Sequence, residues 1–233
     1  MSEEGDIKFK SLGLKEQLII NIKKYGITNL TTFQMDVIKA IKDKNDNVII
    51  DRIEGTGRSL GIIIGSLEKL DDNPQQEEQQ ESSFPQILML LPTRELSQAT
   101  RVIYSSLLIG DADNNNSNDN NEKPMKVMTC FGGVNVSNDI ENLKKGEVQI
   151  LLGTPGRILD LIARKRLNAD KIKMLILDEV DETLARGFID HLGDIINFLN
   201  NINLQIIASV SRMDDITLNF IEKFIKNPNI IKL

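Results

Sequence analysis

The chain has 233 residues, 40% of them hydrophobic and 27% charged, with a formal net charge of −6. This composition suits one large globular domain with its own core, and the negative charge argues against a generic polyanion binder while leaving room for a local basic site. The lone cysteine, Cys130, allows no internal disulfide and fits a reducing compartment, cytoplasmic with a nuclear location as the other choice. The acidic start, Met1–Asp6, does not read as a secretory leader. No apolar run approaches the roughly 20 residues that span a bilayer, so no membrane association is expected.

Taken in chain order, residues 1–46 read as a helical region, with helices over Leu14–Tyr25 and Gln34–Lys42. From residue 47 onward, short apolar runs alternate with helical patterns. Val48–Ile50 is a strand, followed by a glycine turn and a helix start at Leu60–Ile64. Strands are predicted over Ile87–Leu91, Val127–Cys130, Val148–Leu152, Met174–Leu177, Gln205–Ala208 and Ile230–Leu233. Helices are predicted over Leu96–Leu108, Asn138–Lys144, Arg157–Arg164, Asp190–Leu199 and Ile216–Lys226. The strands are continuously apolar rather than alternating, as strands buried on both faces of a parallel sheet are. The fold class is therefore α/β, an open and mostly parallel sheet flanked by helices. Two polar stretches, near 71–85 and 111–123, carry too few apolar residues to pack and read as disordered insertions.

In such a sheet, ligands sit beyond the carboxyl ends of the strands. Six polar motifs follow six of the predicted strands. Gly55-Thr56-Gly57-Arg58-Ser59 follows the first. A glycine turn entering a helix presents backbone N–H groups to phosphate, and Ser59 stands where a hydroxyl can ligate Mg²⁺. The lysine such loops normally carry is Arg58 here. Pro92-Thr93-Arg94-Glu95-Leu96 and Thr154-Pro155-Gly156-Arg157 each combine a hydroxyl cap with an arginine. Either suits a plain helix start or a phosphate grip. Asp178-Glu179-Val180-Asp181 ends the fifth strand, where an Asp can hold Mg²⁺ through water and a Glu can orient a water. Phe131-Gly132-Gly133 and Ser209-Val210-Ser211 complete the set. His191, the only histidine, falls in a helical segment away from this edge and takes no role; Cys130 reads as core. The basic run Arg164-Lys165-Arg166 reads as a solvated helix end.

Together, in this order, these blocks resemble the first RecA-like (P-loop NTPase) domain of the DEAD-box ATP-dependent RNA helicases. Within that family they look most like the translation initiation factor four-A branch. The resemblance runs from about Phe9 to Leu233 and places the RecA-like domain over 47–233. It implies ATP and Mg²⁺ as cofactors and RNA, gripped by its backbone without sequence preference, as partner. Gln34 and Thr31 would read adenine, and Phe9, seventeen residues before Gly26, would stack on the base. Gly55, Thr56, Gly57, Arg58 and Ser59 would hold the phosphates, with Ser59 and Asp178 serving the metal indirectly. Asp178 and Glu179 would be catalytic. Thr93, Arg94, Gly133, Thr154 and Arg157 would touch RNA. Asp181, Ser209 and Ser211 would couple nucleotide state to RNA grip.

The chain also departs from the family pattern. Arg58 replaces lysine, Arg52 stands where a small residue opens the loop, and Glu54 stands where a small polar residue is usual. Leu30 replaces the proline of the adenine motif. A second RecA-like domain is expected to be absent from the chain, so that domain, or a MIF-type helical scaffold, is a candidate partner in trans. Two readings stay open. One is an RNA-dependent ATPase with impaired turnover. The other is a non-catalytic relative acting as an RNA- or protein-binding module. A switch GTPase is disfavoured, since no Asn-Lys-x-Asp guanine motif is present.

Overall fold

The computed structural model describes residues 9–51, 55–71, 85–108, 126–168, 171–199 and 203–232. The two polar insertions and the positions of Arg52 and Glu54 lie largely or wholly outside the described residues. Helices α1 (Glu16–Lys24) and α2 (Thr32–Asp43) precede strand β1 (Val48–Asp51). There follow α3 (Arg58–Glu68), β2 (Ile87–Leu90), α4 (Arg94–Leu108), β3 (Lys126–Cys130), α5 (Val136–Lys144), β4 (Val148–Gly153) and α6 (Pro155–Ala163). The chain continues through β5 (Met174–Leu177), α7 (Val180–Ala185), α8 (Ile189–Phe198), β6 (Gln205–Val210), α9 (Asp215–Phe224) and β7 (Asn229–Lys232).

The seven described strands form one sheet in the order β3-β4-β2-β5-β6-β1-β7, parallel at every pairing. Each inner strand divides its side chains between two cores, because successive residues point to opposite faces. Val48 and Ile50 of β1 face one core and Ile49 the other; Met174 and Ile176 of β5 oppose Leu175 and Leu177 in the same way. One core is closed by α1 to α4 and the other by α6 to α9. The outer strands differ from the sequence expectation. Lys126–Thr129 of β3 and most of β7 are partly or fully exposed, since an edge strand has a neighbour on one side only. Helix α7 was not among the expected helices; at six residues it is too short to display a period.

Strand order decides what meets at the carboxyl edge. β6 lies between β1 and β5, with Asp51 paired to Val210 and Leu177 to Ala208. The segments after β1, β6 and β5 therefore emerge side by side. On the other half, β3, β4 and β2 are neighbours, so the segments after them also converge. The halves join where β2 pairs with β5 and Asp178 N–H donates to Leu90 O at 3.0 Å.

Candidate functional site

The glycine turn is built around Gly57, which caps α3 in the left-handed region at φ 76°. The positive φ favours glycine, and a β-carbon there would lie 2.3 Å from Gln34 Nε2 and displace that side chain. Helix α2 lies close on α3 because Gly61 and Gly65 face Val37 and Ile41 with no side chain between them. That contact delivers Gln34 to the turn. Thr31 and Gln34 form a reciprocal capping box on α2. Thr31 Oγ1 accepts from Gln34 N–H at 3.2 Å, and Gln34 Oε1 accepts from Thr31 N–H at 2.9 Å. Gln34 Nε2 donates to Gly57 O at 3.3 Å, tying α2 to the glycine turn.

Phe9 does not fit the stacking role. It is fully buried among core side chains, and its ring offers no open face to a base. The physical reason is apolar burial, worth about 1.5–3 kcal/mol for a phenylalanine, which an exposed stacking position would forgo.

Asp178 and Glu179 stand at the end of β5. Asp178 is 1% exposed. Its Oδ1 accepts from Ser209 Oγ and its Oδ2 from Ser59 Oγ at 3.4 Å. Burial pushes its carboxyl above the ordinary range; the hydroxyls of Ser209 and Ser59 and the Arg58 charge counter this in part. Ser59 and Asp178 together offer oxygen donors only, which suits Mg²⁺ completed by water and phosphate oxygens. Among the described residues no cluster of three His, Cys, Asp or Glu side chains could hold a metal by itself. Glu179 is left-handed, at φ 53° and ψ 58°, and caps α7. Its N–H donates to Ser209 Oγ at 2.9 Å, so one hydroxyl orients both acidic residues.

Arg58 reaches across this centre. It is 3% exposed. Nη1 donates to Ser211 Oγ at 2.7 Å, and Nη2 lies 3.6 Å from Glu179 Oε1. The guanidinium thus links the glycine turn, the acidic residue after β5 and the segment after β6. Asp181 closes the same segment through the backbone. Its two oxygens accept from the backbone N–H groups of Ser211 at 3.1 Å and Arg212 at 3.2 Å, while the Ser209 and Ser211 hydroxyls face Asp178 and Arg58.

The second half of the edge holds a shallow cleft lined by Pro92, Thr93, Arg94, Phe131, Thr154 and Phe188, among others. Thr93 Oγ1 accepts from Leu96 N–H at 3.1 Å and so caps α4. Arg94 is exposed and lies over the Phe131 ring, 5.7 Å from its centroid. Gly133 is exposed beside it, and a β-carbon there would meet nothing within 4 Å. Arg157 is the exception among the proposed RNA contacts. Its side chain is 8% exposed, its Nη1 meets Asp139 Oδ2 at 2.5 Å and its Nη2 donates to Val134 O at 2.6 Å. Both terminal nitrogens of its guanidinium are engaged within the protein. A planar guanidinium can serve two acceptors at once, here one carboxylate oxygen and one backbone carbonyl. Phe188 and Arg186, which follow α7, were not singled out as cleft residues, and nothing in their spacing marks them as such. Through α7 they connect the acidic centre to the cleft. Cys130 is buried, and its thiol is pushed far up by that burial, so it is inert core. His191 is half-buried with its ring edge-on to Phe188 at 5.4 Å.

A DEAD/DEAH box helicase family model matches residues 31–211. A eukaryotic initiation factor 4A-like protein of Dictyostelium discoideum is 59% identical, over 97% of this chain and 92% of its own length. Eukaryotic initiation factor 4A of the same organism is 34% identical over 97% of this chain, which spans only 51% of that relative. Among solved structures, a DEAD box protein from Methanococcus jannaschii superposes with a TM-score of 0.79 at 29% identity, covering 96% of this chain and 55% of its own. With a model match over most of its length and a full-length relative at this identity, the chain belongs to the DEAD/DEAH box helicase family.

Proposed function

We propose that this chain is an adenine-nucleotide- and RNA-binding RecA-like domain whose ATP turnover is impaired by Arg58. Gln34 and Thr31 would read the adenine. The turn at Gly55–Ser59 and the N-terminus of α3 would hold the phosphates. Mg²⁺, held by Ser59 and Asp178 through water, would neutralise phosphate charge, and Glu179 would orient the attacking water. Thr93, Arg94, Gly133 and Thr154 would contact the RNA backbone, which carries no sequence information. The observation that carries the reading is the position of Arg58 between Ser211 Oγ at 2.7 Å and Glu179 Oε1 at 3.6 Å. A guanidinium there engages the residue that must orient water, and it must leave before that residue can act. A second RecA-like domain or a MIF-type helical scaffold in trans would complete the assembly, in the cytoplasm or the nucleus.

The other reading, an RNA- or protein-binding module without turnover, is favoured by the construction of the cleft. Its lining includes none of the residues that hold Arg58. Titration of the chain with ATP and Mg²⁺, with and without single-stranded RNA and an added second RecA-like domain, separates the two. Weak ATP binding is expected, with turnover that stays slow even with RNA. Micromolar ATP affinity and brisk RNA-stimulated phosphate release would refute the impairment. RNA binding indifferent to nucleotide would favour the module.

A further inference from the structure

We propose that Arg157 is a positioning residue that organises the RNA cleft through the loop after β3, and that it makes no contact with RNA itself. This rests on the reading of the cleft as an RNA site.

β3 is the outermost strand of its half, so the loop from Phe131 to Asn135 has a sheet neighbour on one side only. Three links to that neighbour hold it. Thr154 N–H donates to Cys130 O at 3.1 Å. Arg157 Nη2 donates to Val134 O at 2.6 Å. Arg157 Nη1 meets Asp139, in the first turn of α5, at 2.5 Å. Two of the three pass through one guanidinium on α6. Gly132, Gly133, Val134 and Asn135 are all exposed, so little packing supplements those links. The same loop carries Phe131, against which Arg94 lies, and Gly133.

The chemistry supports an internal role. Asp139 is 7% and Arg157 9% exposed, and breaking such a pair leaves an uncompensated buried charge. A phosphate would therefore have to take the guanidinium from a carboxylate and a carbonyl already in good geometry. A rigid scaffold that presents exposed donors at fixed spacing binds more tightly than the same donors on a loose loop, because the ordering cost is met in advance.

Three measurements test this. Arg157→Gln should weaken binding of a single-stranded RNA about tenfold, the affinity equivalent of one charge-assisted hydrogen bond. The slope of log K against log salt should not change, whereas loss of a true phosphate contact lowers it by about 0.7 on a single strand. Asp139→Asn should also weaken binding, although it makes the chain less acidic. With no RNA present, both variants should show faster amide exchange over residues 131–135, with exchange in β4 and β2 unchanged. A slope reduced by about 0.7 in Arg157→Gln, or tighter binding by Asp139→Asn, would make Arg157 a phosphate ligand and overturn the proposal. Unchanged exchange in the loop would overturn it as well. If the parent chain binds no RNA, the functional reading fails, and the exchange measurement alone decides whether Arg157 holds the loop.

Discussion

Replacing Arg58 by lysine is expected to move stability and ATP affinity in opposite directions. Arg58 Nη2 lies 3.6 Å from Glu179 Oε1, with side-chain exposures of 4% and 24%. At an effective dielectric of about 20, that separation gives a gross attraction of about 4–5 kcal/mol, most of it offset by desolvating the two charges. The bond from Nη1 to Ser211 Oγ, at 2.7 Å, is the cleaner contribution. A hydrogen bond to a charged group is worth about 1.5–3 kcal/mol net. Lysine keeps the charge, but its compact ammonium cannot span Ser211 and Glu179 as the guanidinium fork does. The variant should lose about 1.5–3 kcal/mol of stability, and at about 2–4 °C per kcal/mol its Tm should fall by about 3–12 °C. ATP with Mg²⁺ then displaces a weaker internal pair, and its affinity should rise about tenfold for each 1.4 kcal/mol so released. Thermal melting without nucleotide and calorimetric titration with ATP and Mg²⁺ read the two arms. A Tm that falls while ATP affinity stays the same or weakens would show that Arg58 does not stand in the way of the phosphates.

Asp178→Asn should stabilise the nucleotide-free chain at neutral pH while abolishing Mg²⁺-dependent nucleotide binding. Burial raises the Asp178 carboxyl, so its contribution to stability is full below the unfolded value and is lost as pH rises through the folded one. Denaturant titrations from the ordinary carboxylate range up to neutrality should show the parent losing stability relative to the variant; a relative gain would contradict the argument. Gly57→Ala places a β-carbon 2.3 Å from Gln34 Nε2 at φ +76°. It should cost at least about 1–2 kcal/mol from the left-handed backbone alone, and an unchanged unfolding midpoint would contradict it. Phe9→Ala should cost about 3–5 kcal/mol as a core truncation, equally with and without adenine nucleotide. A variant that keeps its stability but loses nucleotide affinity would restore the stacking role.

Much of the fold was legible because parallel strands buried on two faces must be written as unbroken apolar runs. Val48–Ile50, Ile87–Leu90 and Met174–Leu177 are such runs, and each is a strand. Helix starts were legible for the same local reason: Thr93 caps α4 through its hydroxyl and Pro155 opens α6, although Thr154 at that N-cap makes no side-chain cap bond. Helix α7 was hidden by its length of six residues, and the exposure of β3 and β7 by the fact that edge position is not a property of a strand's own residues. The polar motifs do follow the carboxyl ends of the strands, as the chain order implies. The burial of Phe9 and Arg157 was not legible, because an aromatic ring or a guanidinium has the same sequence signature whether it meets a ligand or the protein's interior.

By itself the sequence determined the order of elements, their type and the chemical inventory at the strand ends. Those follow from contacts within about one turn or one strand, where residue type and spacing suffice. Only the tertiary structure decided which of these ends are neighbours. The pairing order β5-β6-β1 brings Ser211 and Glu179 within reach of Arg58, and the order β3-β4-β2 brings Asp139 and Val134 to Arg157. Hydrogen bonds and close ion pairs act over a few ångströms, so the roles of both arginines depend on a strand order that equally apolar strands do not encode locally.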